Sequence, residues 1–97
     1  MRILLVEDDP MIATGICRGL RNDGFAVDWA RDGKAGDAAL ATTAYDALLL
    51  DLGLPGRDGI DLLAGWRRRG IDLTVMVITA RDTTDHIQDN VYNMVMD

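Results

Sequence analysis

Residues 45–55 read YDALLLDLGLP, and the fold follows from this stretch. Ala47-Leu48-Leu49-Leu50 is a short apolar run that ends abruptly in a carboxylate, Asp51. A run of this length, bounded by polar and turn residues, predicts a buried strand. Asp51 then stands at the carboxyl end of that strand, ahead of a loop carrying Gly53, Pro55 and Gly56. In open α/β sheets, ligands bind outside the carboxyl ends of the strands. An acid at that place calls for a search for the groups that meet it.

Working back towards the start, Ile3-Leu4-Leu5-Val6 is a second continuous apolar run, the pattern of a strand covered on both faces. It stops at Glu7-Asp8-Asp9. Pro10 suits the first turn of a helix with Asp9 as its cap. Ile12, Ile16 and Leu20 recur at helical spacing beside Met11 and Gly15, and Asn22-Asp23-Gly24 closes the helix. Phe25 to Ala30 alternates as a strand with one more polar face. Arg31-Asp32-Gly33 is a turn, and the alanine-rich Lys34 to Thr42 is a second helix whose small side chains permit close packing.

Beyond Asp51, Asp58 is placed to cap a third helix, Gly59 to Arg69, with Ile60, Leu63 and Trp66 on one face. Arg67-Arg68-Arg69 reads as a solvated helix end favoured by the helix dipole, and Gly70 terminates it. Leu73 to Ile78 is a fourth buried strand, stopped by Thr79-Ala80-Arg81. Strands alternating with helices imply a parallel sheet with right-handed crossovers.

The 97 residues make one small domain, and the net charge of −6 argues against direct nucleic-acid binding. A lone cysteine, Cys17, excludes an intrachain disulfide and fits a small residue on a helix in a reducing compartment. The start, MRILLVEDD, lacks the form of a secretory signal, and no apolar stretch is long enough to span a bilayer. A cytoplasmic protein is expected.

Parallel strands share one carboxyl edge. Glu7 and Asp8 after the first strand, Asp51 after the third and Thr79 after the fourth therefore converge. Gathered carboxylates repel unless a cation or proton intervenes. Hard oxygen ligands favour Mg²⁺, Ca²⁺ or Mn²⁺. A carboxylate is also a nucleophile toward phosphorus, and a divalent ion offsets the charge that builds up during such a transfer.

These residues resemble the receiver domain of bacterial two-component response regulators, most closely the OmpR type. ILLVEDD at residues 3–9, LLLDLGLPGRDG at residues 48–59 and VITAR at residues 77–81 carry the resemblance, which covers about residues 1–81. It implies a three-layer, flavodoxin-like α/β fold with strand order 2-1-3-4. It implies Asp51 as phosphoacceptor from the phosphohistidine of a sensor histidine kinase. Mg²⁺ would be held by Glu7, Asp8, Asp51 and the carbonyl of Gly53. Thr79 would contact the phosphoryl group and trigger the switch, and Pro55 and Gly59 would shape the loop. Transcriptional control through DNA would belong to an output domain outside these 97 residues.

Past Arg81 the pattern departs. The family's fifth strand and its Lys-Pro have no counterpart, and the only lysine, Lys34, falls on the second helix. Residues 82–97 form an atypical tail in which Ile87, Val91, Met94 and Val95 fit an amphipathic helix capped by Thr84 or Asp85, with His86 as a surface residue. A missing fifth strand would leave a backbone edge open, which predicts a homodimer, with elements exchanged between chains in one form of it. Two other functions compete with the phosphorylated switch. One is a non-phosphorylated interaction module, favoured by the absent lysine. The other is a Mg²⁺-dependent phosphatase, disfavoured because Gly53 stands two residues after Asp51 where a second acid would be needed.

Overall fold

The computed structural model describes residues 1–51, 59–79 and 92–96. Its order is β1 (Arg2–Val6), α1 (Pro10–Asn22), β2 (Ala26–Ala30), α2 (Gly33–Thr42), β3 (Ala47–Asp51), α3 (Gly59–Arg68), β4 (Thr74–Thr79) and β5 (Tyr92–Met96). The strands form one sheet in the order β2-β1-β3-β4-β5. The first four are parallel, as the alternation of strands and helices requires.

Local chemistry sets the element ends. Asp9 caps α1 by accepting from the backbone N–H groups of Met11 and Ile12, and Pro10 occupies the first turn. Asp32 caps α2 through the N–H of Ala35. Gly24 and Gly70 follow the ends of α1 and α3 with φ of 94° and 83°, a left-handed conformation costly for other residues.

The sheet has two covered faces. Leu4, Val6, Leu48, Leu50, Val75 and Val77 pack against Leu62, Leu63 and Trp66 of α3, with Ala39 and Leu40 of α2 alongside. Ile3, Leu5, Val27, Leu49 and Ile78 pack against Ala13 and Cys17 of α1. This alternation explains why β1 and β3 read as unbroken apolar runs: successive residues enter different cores. Gly36 lets α2 approach closely, since a Cβ there would lie 3.3 Å from Val6 Cγ2 and 3.4 Å from Trp66 Cζ2. On the α1 face an apolar recess of about 470 Å³ opens among Met1, Ile3, Phe25, Leu49 and Met76.

Three expectations need correction. The fifth strand is present: β5 pairs antiparallel with β4 from Thr79↔Tyr92 to Val75↔Met96. The amphipathic helix expected in the tail is therefore absent over Tyr92–Met96, while residues 80–91 lie outside the described residues. Spacing of apolar residues misled here, because the unsatisfied backbone edge of β4 outweighs a weak helical stripe in a segment rich in strand formers. With that edge paired, it gives no reason for self-association. On α3, Ile60 is exposed and Leu62 is buried beside Leu63 and Trp66, so the buried face is rotated from the one expected.

Candidate functional site at the carboxyl edge of the sheet

The carboxyl ends of β1 and β3 are neighbours in the sheet, with Val6 opposite Leu50. That register brings Glu7 and Asp8, which follow β1, beside Asp51, which ends β3. One carboxylate oxygen from each of Glu7, Asp8 and Asp51 lies within 4.8 Å of the others. Glu7 is 2% and Asp51 8% exposed, and they are the buried charged side chains among the described residues. Asp8 is partly exposed. Two of the three acids thus sit under cover, and the third is partly exposed.

Glu7 is held firmly. Its N–H donates to the carbonyl of Ala30 at 3.0 Å, and Trp29 Nε1 donates to its carbonyl at 2.7 Å. Its side-chain Oε2 accepts from the N–H of Asp9 at 3.1 Å. Burial pushes the Glu7 carboxyl up to about 8, and its hydrogen bonds to Asp51 and Asp8 and the charge of Asp51 add to this, against the N–H of Asp9. A proton on Glu7 relieves the repulsion among the carboxylates. A hard divalent cation would do the same, and an all-oxygen set of three carboxylates fits one by its donor chemistry.

Other site residues fall as follows. Thr79 ends β4, one residue beyond the Asp51↔Ile78 pair, so its backbone belongs to the same carboxyl edge. Gly59 is buried at the start of α3. Gly53 and Pro55 lie outside the described residues, as does Asp58. Lys34, the only lysine, is exposed on α2 as expected. Asp9 serves as a helix cap. Sequence reading missed the role of Trp29. Its alternation marked a strand face, but nothing in a pattern of apolar residues shows that its indole N–H grips the backbone of Glu7.

Fold and site together define a doubly wound α/β domain with a carboxylate cluster, of a donor set that could hold a cation, at the carboxyl edge of its parallel strands. Comparison with known proteins narrows this. The family model for the response regulator receiver domain matches residues 3–97. The transcriptional regulatory protein QseB of Haemophilus influenzae is 54% identical over 85 residues, covering 88% of this chain and 38% of that protein. The response regulator protein PmrA of Pseudomonas aeruginosa is 49% identical over 82 residues, covering 84% and 37%. Among solved structures, the Francisella response regulator 1452 receiver domain superposes with a TM-score of 0.78 at 30% identity, covering 92% of this chain and 74% of that one. The Thermotoga maritima response regulator TrrA, solved in complex with Mg²⁺-BeF, gives 0.77 at 27% identity, covering 90% and 77%. The chain belongs to the response regulator receiver domain family. It spans under two fifths of the length of these regulators.

Proposed function

We propose that this domain is a phosphorylation switch in which Asp51 accepts a phosphoryl group with Mg²⁺ bound. The observation that carries the reading is the convergence of Glu7, Asp8 and Asp51 within 4.8 Å, with Asp51 buried at the end of β3. An Asp51 oxygen attacks phosphorus, and the N–P bond of a sensor kinase's phosphohistidine breaks. The electron pair returns to the imidazole nitrogen, leaving an acyl phosphate on Asp51. Glu7 and Asp8 would hold the cation beside Asp51, with the Gly53 carbonyl as a further ligand, and Glu7 would be ionised in that state. Mg²⁺ supplies neutralisation of the charge spread over the transferred phosphoryl oxygens. Thr79 donates its hydroxyl to a phosphoryl oxygen. Pro55 and Gly59 shape the loop beside it.

In this reading Asp51 takes a phosphoryl group without acting as a turnover enzyme. The added charge, roughly −1.5 to −2 near neutral pH, biases a two-state element that controls an attached output. The transcriptional regulators among the relatives support a DNA-binding output in the full-length protein and a cytoplasmic setting. No described helix is long and apolar enough to cross a membrane. A homodimer remains part of this reading.

Incubation with acetyl phosphate and Mg²⁺, followed by intact mass, tests the reading. One added phosphoryl mass, absent in Asp51→Ala and absent with EDTA, is the expected result. A second reading, a non-phosphorylated interaction module, draws on the placement of the only lysine, exposed on α2. An unmodified wild-type mass after prolonged incubation would select it.

A further inference from the structure

Away from the acids, a cleft of about 330 Å³ lies between α1 and β2, lined by Thr14, Cys17, Arg18, Arg21, Asn22 and Trp29. Its volume is at the low end of small-ligand sites, roughly 300–1,000 Å³. The lining carries two guanidinium groups, a hydroxyl, an amide and an indole. A third guanidinium, Arg31, lies over the Trp29 ring at 5.7 Å from its centroid. Two of the ten basic side chains thus line one cleft of a chain with net charge −6, and Arg31 lies over the ring of Trp29, which forms one of its walls.

Their partners are few. Arg18 and Arg31 make no ion pair among the described residues, and Arg21 lies within reach of the Asp28 charge without a direct salt bridge. Arg21 Nη2 donates to the carbonyl of Val27 at 2.8 Å, which fixes the side chain without neutralising it. Asp28, the neighbouring acid on β2, bonds Tyr45 and Arg2 directly and feels the Arg21 charge only at longer range. Guanidinium groups only partly balanced by a carboxylate attract an anion, and their forks match phosphate oxygens in pairs. Cys17 is buried and contributes wall rather than chemistry.

We propose that the α1–β2 cleft binds a small phosphate-bearing molecule of the diphosphate class. Arg18 and Arg21 take the phosphate oxygens, with Thr14 and Asn22 as further donors. Trp29, 36% exposed, closes one wall. This site is separate from the acid cluster, although Trp29 also holds the carbonyl of Glu7.

Titration with pyrophosphate, and in a second arm adenosine diphosphate, tests this in EDTA so that no metal can carry phosphate to the acids. Trp29 reports by its fluorescence, and Trp29→Phe identifies the signal as its own. Saturable quenching with a midpoint below about 1 mM is expected. It should weaken at least tenfold in Arg18→Gln, persist in Asp51→Asn, and stay unchanged in Arg68→Gln at the far end of α3. Tighter binding of adenosine diphosphate than of pyrophosphate assigns part of the cleft to the base, and equal binding assigns it to the phosphates alone. A linear, unsaturable response, or equal weakening in Arg18→Gln and Arg68→Gln, overturns the proposal. Arg21→Gln, on the second guanidinium of the lining, repeats the test if Arg18→Gln lowers the melting temperature. Retained phosphorylation of Asp51 in Arg18→Gln keeps the outcome independent of the switch reading.

Discussion

Glu7 does two jobs at the scale of single residues: it supplies a buried carboxylate, and its backbone anchors the Trp29 indole. Because its carboxyl is pushed up to about 8, it is largely protonated at neutral pH without a cation. Glu7→Gln therefore mimics the metal-free state. Its melting temperature in EDTA should stay close to wild type, while the rise on adding Mg²⁺ should shrink sharply; thermal melts with and without the ion check both. Asp28 behaves in the opposite sense. Its Oδ2 accepts from the Tyr45 hydroxyl at 2.6 Å and from Arg2 Nη1 at 2.9 Å. The Tyr45 hydroxyl, followed by Arg2, holds its carboxyl below the usual range despite some burial. A depressed native value means that this stability is complete above the unfolded value near about 4 and is lost as pH falls through the lower native one. Urea unfolding from pH 7 to pH 2 should show Asp28→Asn less stable than wild type at neutrality, with the gap closing in acid.

At the scale of elements, α2 and α3 are fitted to the sheet by one small and one large residue. Gly36 admits Val6 and the Trp66 ring at contact distance, and Trp66 is 1% exposed. Gly36→Val overfills this junction and should cost about 1–3 kcal/mol. Trp66→Ala empties it and should cost about 3–5 kcal/mol; chemical denaturation measures both. The start of α1, the ends of α1 and α3 and the strand runs were legible in sequence, since Asp9, Pro10, Gly24 and Gly70 act on their immediate neighbours, whereas the Asp32 cap of α2 read only as a turn. Which face of α3 is buried was not legible. Ile60 and Leu62 are equally apolar, and only the position of the sheet decides that Leu62 goes in.

The molecule as a whole depends on how its sheet ends. β5 closes the β4 edge in antiparallel register, with Met94 opposite Val77. Met94→Pro removes a backbone donor and disfavours that pairing. Hydrogen exchange should then speed at the amides of Val75, Val77 and Thr79, and light scattering should report association through the bared edge. Unchanged exchange in β4 would show that β5 does not protect it.

The amino-acid order alone determined the four parallel strands, their helices, and the identity of Glu7, Asp8, Asp51 and Thr79 as strand-end residues. Apolar runs, caps and turn glycines express themselves within a few neighbouring residues. Tertiary structure alone decided the return of Tyr92–Met96 as a strand, the raised carboxyl of Glu7, the grip of Trp29 on its backbone, and the arginine-lined cleft. Each of these arises between segments distant in the chain, where backbone pairing, burial and charge are set by what the fold brings alongside.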